Sequence, residues 1–177
     1  MEKRIINNKF IVISFFGVIL LLLIYGYIHE AAHWSICNLS GLQGKINIDI
    51  FKAKPDFSIN CEGIDAKPTW VKFLFSSSPY ILSLILLISI FMFLHKKNSI
   101  ISLILSLPIF LSDLFNLIGF YRWFLGHGDV RNDLVGIYYL NKVYLTLFLI
   151  LISANIVLFA AIVHHTFKTR KRNQKNK

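Results

Sequence analysis

The residues with the clearest chemical potential are His29, Glu30 and His33, which form an H-E-x-x-H pattern after a long apolar stretch. Residues four apart on a helix share one face, so the two imidazoles can reach one metal ion. Glu30 falls about 100° around the helix, where it can take a proton from metal-bound water. Three ionisable residues beside a membrane span are costly unless they function. The pattern therefore predicts a metal site, and Zn²⁺ suits imidazole and carboxylate ligands.

A catalytic zinc site needs a third protein ligand, and two acidic residues compete for that position. Asp129 lies in the segment GHGD just past the third apolar stretch, and Asp113 lies within that stretch. With a rise of about 1.5 Å per residue, His29 is about 29 Å along its helix from Phe10, close to the far membrane boundary. Asp113 is only about 20 Å from Ile100, whereas Asp129 lies at the boundary. Depth favours Asp129, with Asp113 as the alternative.

The elements that must position these residues are four apolar stretches, each long enough for a membrane-spanning helix of about 20 residues. They cover residues 10–38, 70–94, 100–124 and 142–165. The chain is 55% hydrophobic, which excludes a disordered chain and argues against a soluble nucleic-acid-binding protein despite a net charge of +10. We expect an all-α integral membrane protein with a single membrane-embedded domain, whose partner is the lipid bilayer and which binds no nucleic acid.

The basic residues predict the orientation of these spans. Eleven of the 19 basic residues, but only one acidic residue, fall in the N-terminal arm, the link between the second and third spans, and the basic tail 166–177. Four spans bring these three segments to one side of the membrane. Because basic segments stay in the cytoplasm, we expect both termini to be cytoplasmic and the H-E-x-x-H motif to lie towards the extracytoplasmic side.

The two outer segments differ in pattern. Within the insert 40–69, KINIDIF alternates apolar and polar residues, FSINCEGI is a candidate partner strand, and Lys54, Pro55 and Asp56 are candidate turn residues. This predicts a small β-hairpin between the first and second spans. Residues 125–141 are loop-like by sequence, and we expect Arg131 and Asp133 to make contacts within that loop.

Cys37 and Cys61 both fall on the outer side of the predicted topology. An extracytoplasmic compartment permits a disulfide, which would tie the end of the H-E-x-x-H helix to the hairpin. A thiolate ligand to the metal is the competing interpretation. The sequence leaves both open, because it does not give the distance between the two residues.

An H-E-x-x-H at the end of one membrane helix, a β-rich insert, and later an Asn and an Asp resemble the site-2 protease family of intramembrane zinc metalloproteases. In that family the third ligand is an Asp in an L-D-G motif, and an Asn a few residues earlier helps to hold the substrate strand. Here Gly128-Asp129 corresponds to the Asp motif and Phe115-Asn116-Leu117 to the Asn segment. The resemblance covers about residues 20–135.

This resemblance implies zinc-dependent hydrolysis of peptide bonds in transmembrane or membrane-proximal protein substrates. Glu30 would activate the water and later protonate the leaving amine, and Asn116 would bind substrate. Apart from the resemblance, His127 is a candidate to hydrogen-bond a reaction intermediate, with a solvated loop histidine as the alternative. The alternative functions are a non-catalytic membrane binding or chaperone-like module that keeps a metal site, and a metal transporter. If Asp113 is not a ligand, it orients a ligand histidine or forms a packing pair with Asn116, one turn away.

Overall fold

The computed structural model describes residues 8–49, 56–94, 99–127 and 133–175. It contains five α-helices and one two-stranded antiparallel sheet in the described ranges. In chain order these elements are α1 (Asn8–Leu39), β1 (Gly44–Asp49), β2 (Asp56–Cys61), α2 (Thr69–Ser89), α3 (Ser99–Phe124), α4 (Asp133–Leu140) and α5 (Lys142–Lys175). A short 3₁₀ turn, Ile64–Ala66, precedes α2, and a π-helical turn, Ile90–Leu94, continues it.

Four helices are long and apolar enough to span a membrane, which confirms the predicted fold class. The apolar stretches are Phe16–Leu39, Thr69–Leu94, Ile100–Phe124 and Lys142–Lys168. In hydrocarbon every backbone polar group needs an internal partner, and a helix provides one within the segment itself. The last of these four helices, α5, continues beyond the predicted span boundary to Lys175, so most of the basic tail is helical.

The predicted hairpin is present between α1 and α2, and its register runs from the pair Gly44–Cys61 to the pair Asp49–Asp56. Asp56 begins β2, whereas Lys54 and Pro55 of the predicted turn lie outside the described residues. A disulfide joins Cys37 of α1 to Cys61, which resolves the open alternative for this cysteine pair. Because both sulfurs are in that bond, neither is available as a thiolate ligand.

A second contact holds the same end of the hairpin. The indole Nε1 of Trp34 donates to the carbonyl of Gly44 at 3.0 Å. A Cβ at Gly44 would lie 3.0 Å from Cδ1 of Trp34 and 3.2 Å from Sγ of Cys37, so any larger residue would require these two side chains to shift. The disulfide and Trp34 therefore fix one cross-strand pair, Gly44–Cys61, against α1.

The expectation that residues 125–141 form a loop is wrong for their second half, which is the helix α4. Asp133 lies in the first turn, where a carboxylate complements the helix dipole. Leu134, Val135 and Ile137 are fully buried. Two turns of helix are marginal alone, so packing of this apolar face stabilises α4. The chain then turns within one residue, and Oδ1 of Asn141 accepts the backbone N–H of Val143 at 3.0 Å, capping α5.

The core is divided into two apolar clusters at different heights in the helix bundle. One joins α1, α2, α3 and α5 through Tyr25, Leu87, Ile90, Ile109 and Ile162. The other joins α2, α4 and α5 through Tyr80, Leu134, Ile137, Phe148 and Ile152. The second cluster places the N-terminus of α4 beside α2, and this contact brings Asp133 to the histidines of α1.

Candidate metal centre

The first part of the site is the buried face of α1 that carries His29, Glu30 and His33. Their exposed fractions are 9%, 9% and 3%. The two imidazole rings lie one turn apart, with centroids separated by 5.2 Å. The four-residue spacing thus brings both histidines to one face, as the sequence predicts.

The second part of the site is Asp133, at the start of α4. Its Oδ2 lies 3.3 Å from Nε2 of His29, and its Oδ1 lies 3.4 Å from Nε2 of His33. One ligand atom from each of the three residues lies within 4.8 Å of the others. Two imidazoles and one carboxylate are a donor set found in catalytic zinc sites, where a fourth position stays open for water or substrate.

Only one of the two aspartates proposed from the sequence, Asp113, lies in the part of the chain that the structure describes. Asp129 lies outside the described residues, so its role as a ligand stays a prediction. Asp113 is 1% exposed and is not in the group of ligand atoms around His29 and His33. Its Oδ2 accepts from Nδ2 of Asn155 at 2.8 Å, which links α3 to α5 rather than to a ligand histidine.

The tautomer of His33 is fixed by α2. Its Nδ1 lies 2.6 Å from the carbonyl oxygen of Phe75, and because a carbonyl can only accept, Nδ1 carries the proton. Nε2 faces Asp133, and with Nδ1 as the protonated nitrogen a neutral ring would offer the lone pair of Nε2 to a metal. The carbonyl of Phe75 is available because the residue four positions later is Pro79, which has no N–H to donate within the helix.

Asp133 is also held by α2. The hydroxyl of Tyr80, a fully buried residue, donates to Oδ2 of Asp133 at 3.2 Å. Burial alone would raise the pKa of the Asp133 carboxyl, but the imidazoles of His33 and His29 keep that pKa well below its usual range. The carboxylate is therefore ionised at neutral pH and suited to binding a cation.

The three ligand candidates and Glu30 line a cavity of about 460 Å³. Its other walls come from four elements: Gly26 of α1, Ser58 and Ile59 of β2, Phe75 of α2, and Ser112 and Asn116 of α3. Asn116 thus lies where the sequence expectation requires a substrate-binding residue. His127 is exposed after the end of α3 and does not line this cavity, so its predicted contact with a reaction intermediate has no support from the geometry.

One buried atom of the site is unsatisfied. Nδ1 of His29 has no hydrogen-bond partner in the part of the chain that the structure describes, whereas Nδ1 of His33 has one. With Nε2 facing Asp133, the His29 ring still presents a ligand nitrogen to the group. The donor set, its burial and the fixed tautomer of His33 together fit a zinc ion.

Sequence reasoning missed Asp133, Tyr80 and Pro79 as parts of the site. Asp133 precedes the apolar run LVGIYYL, and an acid just before such a run is a helix-start signal that would have placed it at an ordered helix end. No comparable local signal marks Tyr80, because its contact with Asp133 joins residues far apart in the chain.

Comparison with protein-family models, with curated proteins and with solved structures finds no match to this chain. A functional assignment therefore rests on the geometry of the site. This geometry defines a four-span helical protein in which two buried histidines and a partly buried aspartate, with a glutamate beside them, line a cavity.

Proposed function

We propose that the protein is a zinc-dependent intramembrane metalloprotease that hydrolyses peptide bonds of membrane-associated proteins. The observation that carries this proposal is the convergence of His29, His33 and Asp133 in a cavity that Glu30 also lines. Binding alone requires three ligands, but it does not require an additional buried carboxylate beside them. A general base does require that placement. The H-E-x-x-H resemblance to site-2 proteases supports the same function.

Each residue has a distinct part in this chemistry. His29, His33 and Asp133 would hold the zinc ion, which supplies a Lewis acid for the scissile carbonyl and lowers the pKa of water. Glu30 would take the proton from the attacking water and return it to the leaving amine. Asn116, on the α3 wall of the cavity, would hydrogen-bond the substrate backbone with its amide.

The substrate would enter as an extended segment, because a helix hides its carbonyls in internal hydrogen bonds. β2 belongs to a sheet of only two strands, and its residues Ser58 and Ile59 line the cavity. A substrate strand that pairs with β2 would therefore pass beside Glu30. Deleting residues 45–60 tests this route: cleavage at the wild-type rate by the shortened chain would contradict it.

The cavity would face the extracytoplasmic side of the membrane. Basic residues concentrate in the two termini and in the link between the second and third spans, which favours a cytoplasmic location for those segments. The Cys37–Cys61 disulfide supports the opposite location for the hairpin, because disulfides persist in oxidising compartments.

Glu30→Gln separates a protease from a non-catalytic binding module. The amide keeps the size of the side chain but cannot accept the proton, so we expect unchanged zinc content and a fall in cleavage of about 10²-fold or more. Zinc is measured by atomic absorption on protein purified in detergent. Cleavage is measured on labelled casein and on a panel of single-span peptides in proteoliposomes.

The matched control is Glu62→Gln, which changes an exposed acid just after β2. We expect this variant to cleave as the wild type does. Equal cleavage by wild type and Glu30→Gln, or zinc-loaded wild type with no cleavage of any substrate in the panel, would favour the binding module.

A further inference from the structure

The turn of α2 formed by residues 75–80 contacts two of the three ligand candidates, although it contributes no ligand itself. The Phe75 carbonyl accepts from His33, and the Tyr80 hydroxyl donates to Asp133. We propose that this turn, called here the α2 cradle, is the outer shell of the metal centre and that Pro79 and Tyr80 are its positioning residues. The inference rests on the metal site of the proposed function, but not on proteolysis.

Pro79 affects the site because it has no backbone N–H. In an uninterrupted helix, the N–H of residue 79 would bond to the carbonyl of Phe75. Proline leaves that carbonyl without its helical partner, and two side chains use it: His33 through Nδ1 at 2.6 Å and Ser78 through its hydroxyl at 2.9 Å. A proline inside a helix does not by itself require a ligand histidine at the freed carbonyl, so the His33 contact links Pro79 to the site.

Tyr80 acts through its hydroxyl and is itself held at three points. Its ring lies edge-on to His29, with centroids 5.7 Å apart, and edge-on to Phe148, with centroids 4.5 Å apart. Nδ2 of Asn155 donates to its backbone carbonyl at 3.2 Å. The hydroxyl therefore reaches Asp133 from a fixed ring, and it occupies one lone pair of Oδ2 while leaving the rest of the carboxylate for a cation.

A buried pair extends this support away from the cavity. Asn155 also donates to Asp113 at 2.8 Å, and both residues are at most 2% exposed. Asp113 is thus linked to the site through Asn155 and the α2 cradle. Asp113 would therefore support the site without binding the metal. It fixes the side chain of Asn155, which in turn hydrogen-bonds the backbone carbonyl of Tyr80.

The test measures metal affinity rather than hydrolysis. Zn²⁺ affinity is determined by chelator competition for the wild type, Tyr80→Phe and Pro79→Ala in detergent, and the Co²⁺ absorption spectrum reports the ligand geometry. Loss of an outer-shell partner typically weakens metal binding by about 10- to 100-fold. We expect a loss of this size for Tyr80→Phe. We expect an altered Co²⁺ spectrum for both variants, because in Pro79→Ala the new alanine would offer its N–H to the Phe75 carbonyl.

Two controls match these changes in residue type and depth. Tyr25→Phe removes another buried hydroxyl, which pairs with Ser83 rather than with a ligand. Pro108→Ala replaces the proline inside α3, which lines a different, apolar cavity. We expect both controls to keep the wild-type affinity and spectrum.

The outcomes distinguish this inference from the proposed function. Wild-type affinity and spectrum in Tyr80→Phe, or an equal loss in Tyr25→Phe, would overturn the α2 cradle. Wild type without zinc would overturn both proposals, whereas the expected affinities without any peptide hydrolysis would overturn only the protease. If Pro79→Ala does not fold, as its melting curve would show, Tyr80→Phe alone decides.

Discussion

Asp113 and Asp133 have different partners, and the partners decide which of the two can bind a cation. Asp133 faces two imidazole nitrogens at 3.3 and 3.4 Å. Asp113 faces the amide of Asn155. A carboxylate between two imidazoles is arranged as a metal ligand, whereas one paired with an amide between two helices is arranged for packing.

We expect Asp133→Ala to abolish stoichiometric zinc binding, because two imidazoles alone make an incomplete site. Asp113→Asn, which keeps an oxygen for Asn155, should retain zinc. Asp129→Ala should also retain zinc if Asp133 is the third ligand. The measurement is the zinc content of the purified protein by atomic absorption. Loss of zinc in Asp129→Ala with retention in Asp133→Ala would reverse the assignment.

At the residue scale, the sequence predicts which site residues share one element, but not which residues of other elements join them. His29, Glu30 and His33 are found from their spacing alone, because helix geometry decides which face they share. Asp133 joins them through the packing of α4 on α2 and α5, and no short pattern encodes such a contact. Ranking acids by membrane depth favoured Asp129, four residues before the one that lies beside the histidines.

Among the elements, the hairpin is attached to the helix bundle chiefly at one end. The Cys37–Cys61 disulfide and the Trp34–Gly44 hydrogen bond both act on the first cross-strand pair. Ser58 and Ile59 of the same sheet line the metal cavity. The attachment of the hairpin therefore determines the position of one cavity wall.

We expect reduction of this disulfide to destabilise the protein by about 3 kcal/mol, since the bond closes a loop of 24 residues in the unfolded chain. Thermal unfolding in detergent with and without a membrane-permeant reductant measures the effect. The control is the double variant Cys37→Ser/Cys61→Ser, which should melt below the wild type and show no response to reductant. A wild-type melting temperature that reductant leaves unchanged would contradict this.

The elements themselves were largely predictable. Long apolar runs identify the four spans, and strict alternation identifies the hairpin, because both signals reflect the period of a single element. The helix α4 was not predicted, because it has only eight residues and includes Gly136, which is a poor helix former. Its stability comes from burying Leu134, Val135 and Ile137 against other helices, which becomes visible only in three dimensions.

For the whole molecule, the net charge of +10 is concentrated in three segments of the chain. The N-terminal arm, the link after the second span and the C-terminal tail hold 11 basic residues and one acidic residue, and the rest of the chain carries eight of each sign. With four spans these segments would share one side of the membrane, and basic segments favour the cytoplasmic side and attract anionic lipid there.

We expect both termini to be cytoplasmic and the hairpin extracytoplasmic. Reporter fusions at Lys177 should be active only for a reporter that requires the cytoplasm, and insertions after Gly63 only for one that requires export. Replacing the six basic residues of the tail with glutamine should raise the fraction of inverted molecules. Active export reporters at Lys177 of the unmodified chain would contradict the topology.

Asp133 follows the two histidines only after two further membrane helices, and it begins the short helix just before the last one. During synthesis, a chain that has inserted α1 and α2 already exposes His29, Glu30 and the hairpin to its surroundings, but it has no Asp133 carboxylate with which to complete the metal centre. If this group binds a metal as proposed, the order of elements along the chain would delay metal loading until nearly all of the helix bundle has been inserted. If the protein is the proposed protease, an unfinished chain would then be unable to cleave other nascent membrane proteins.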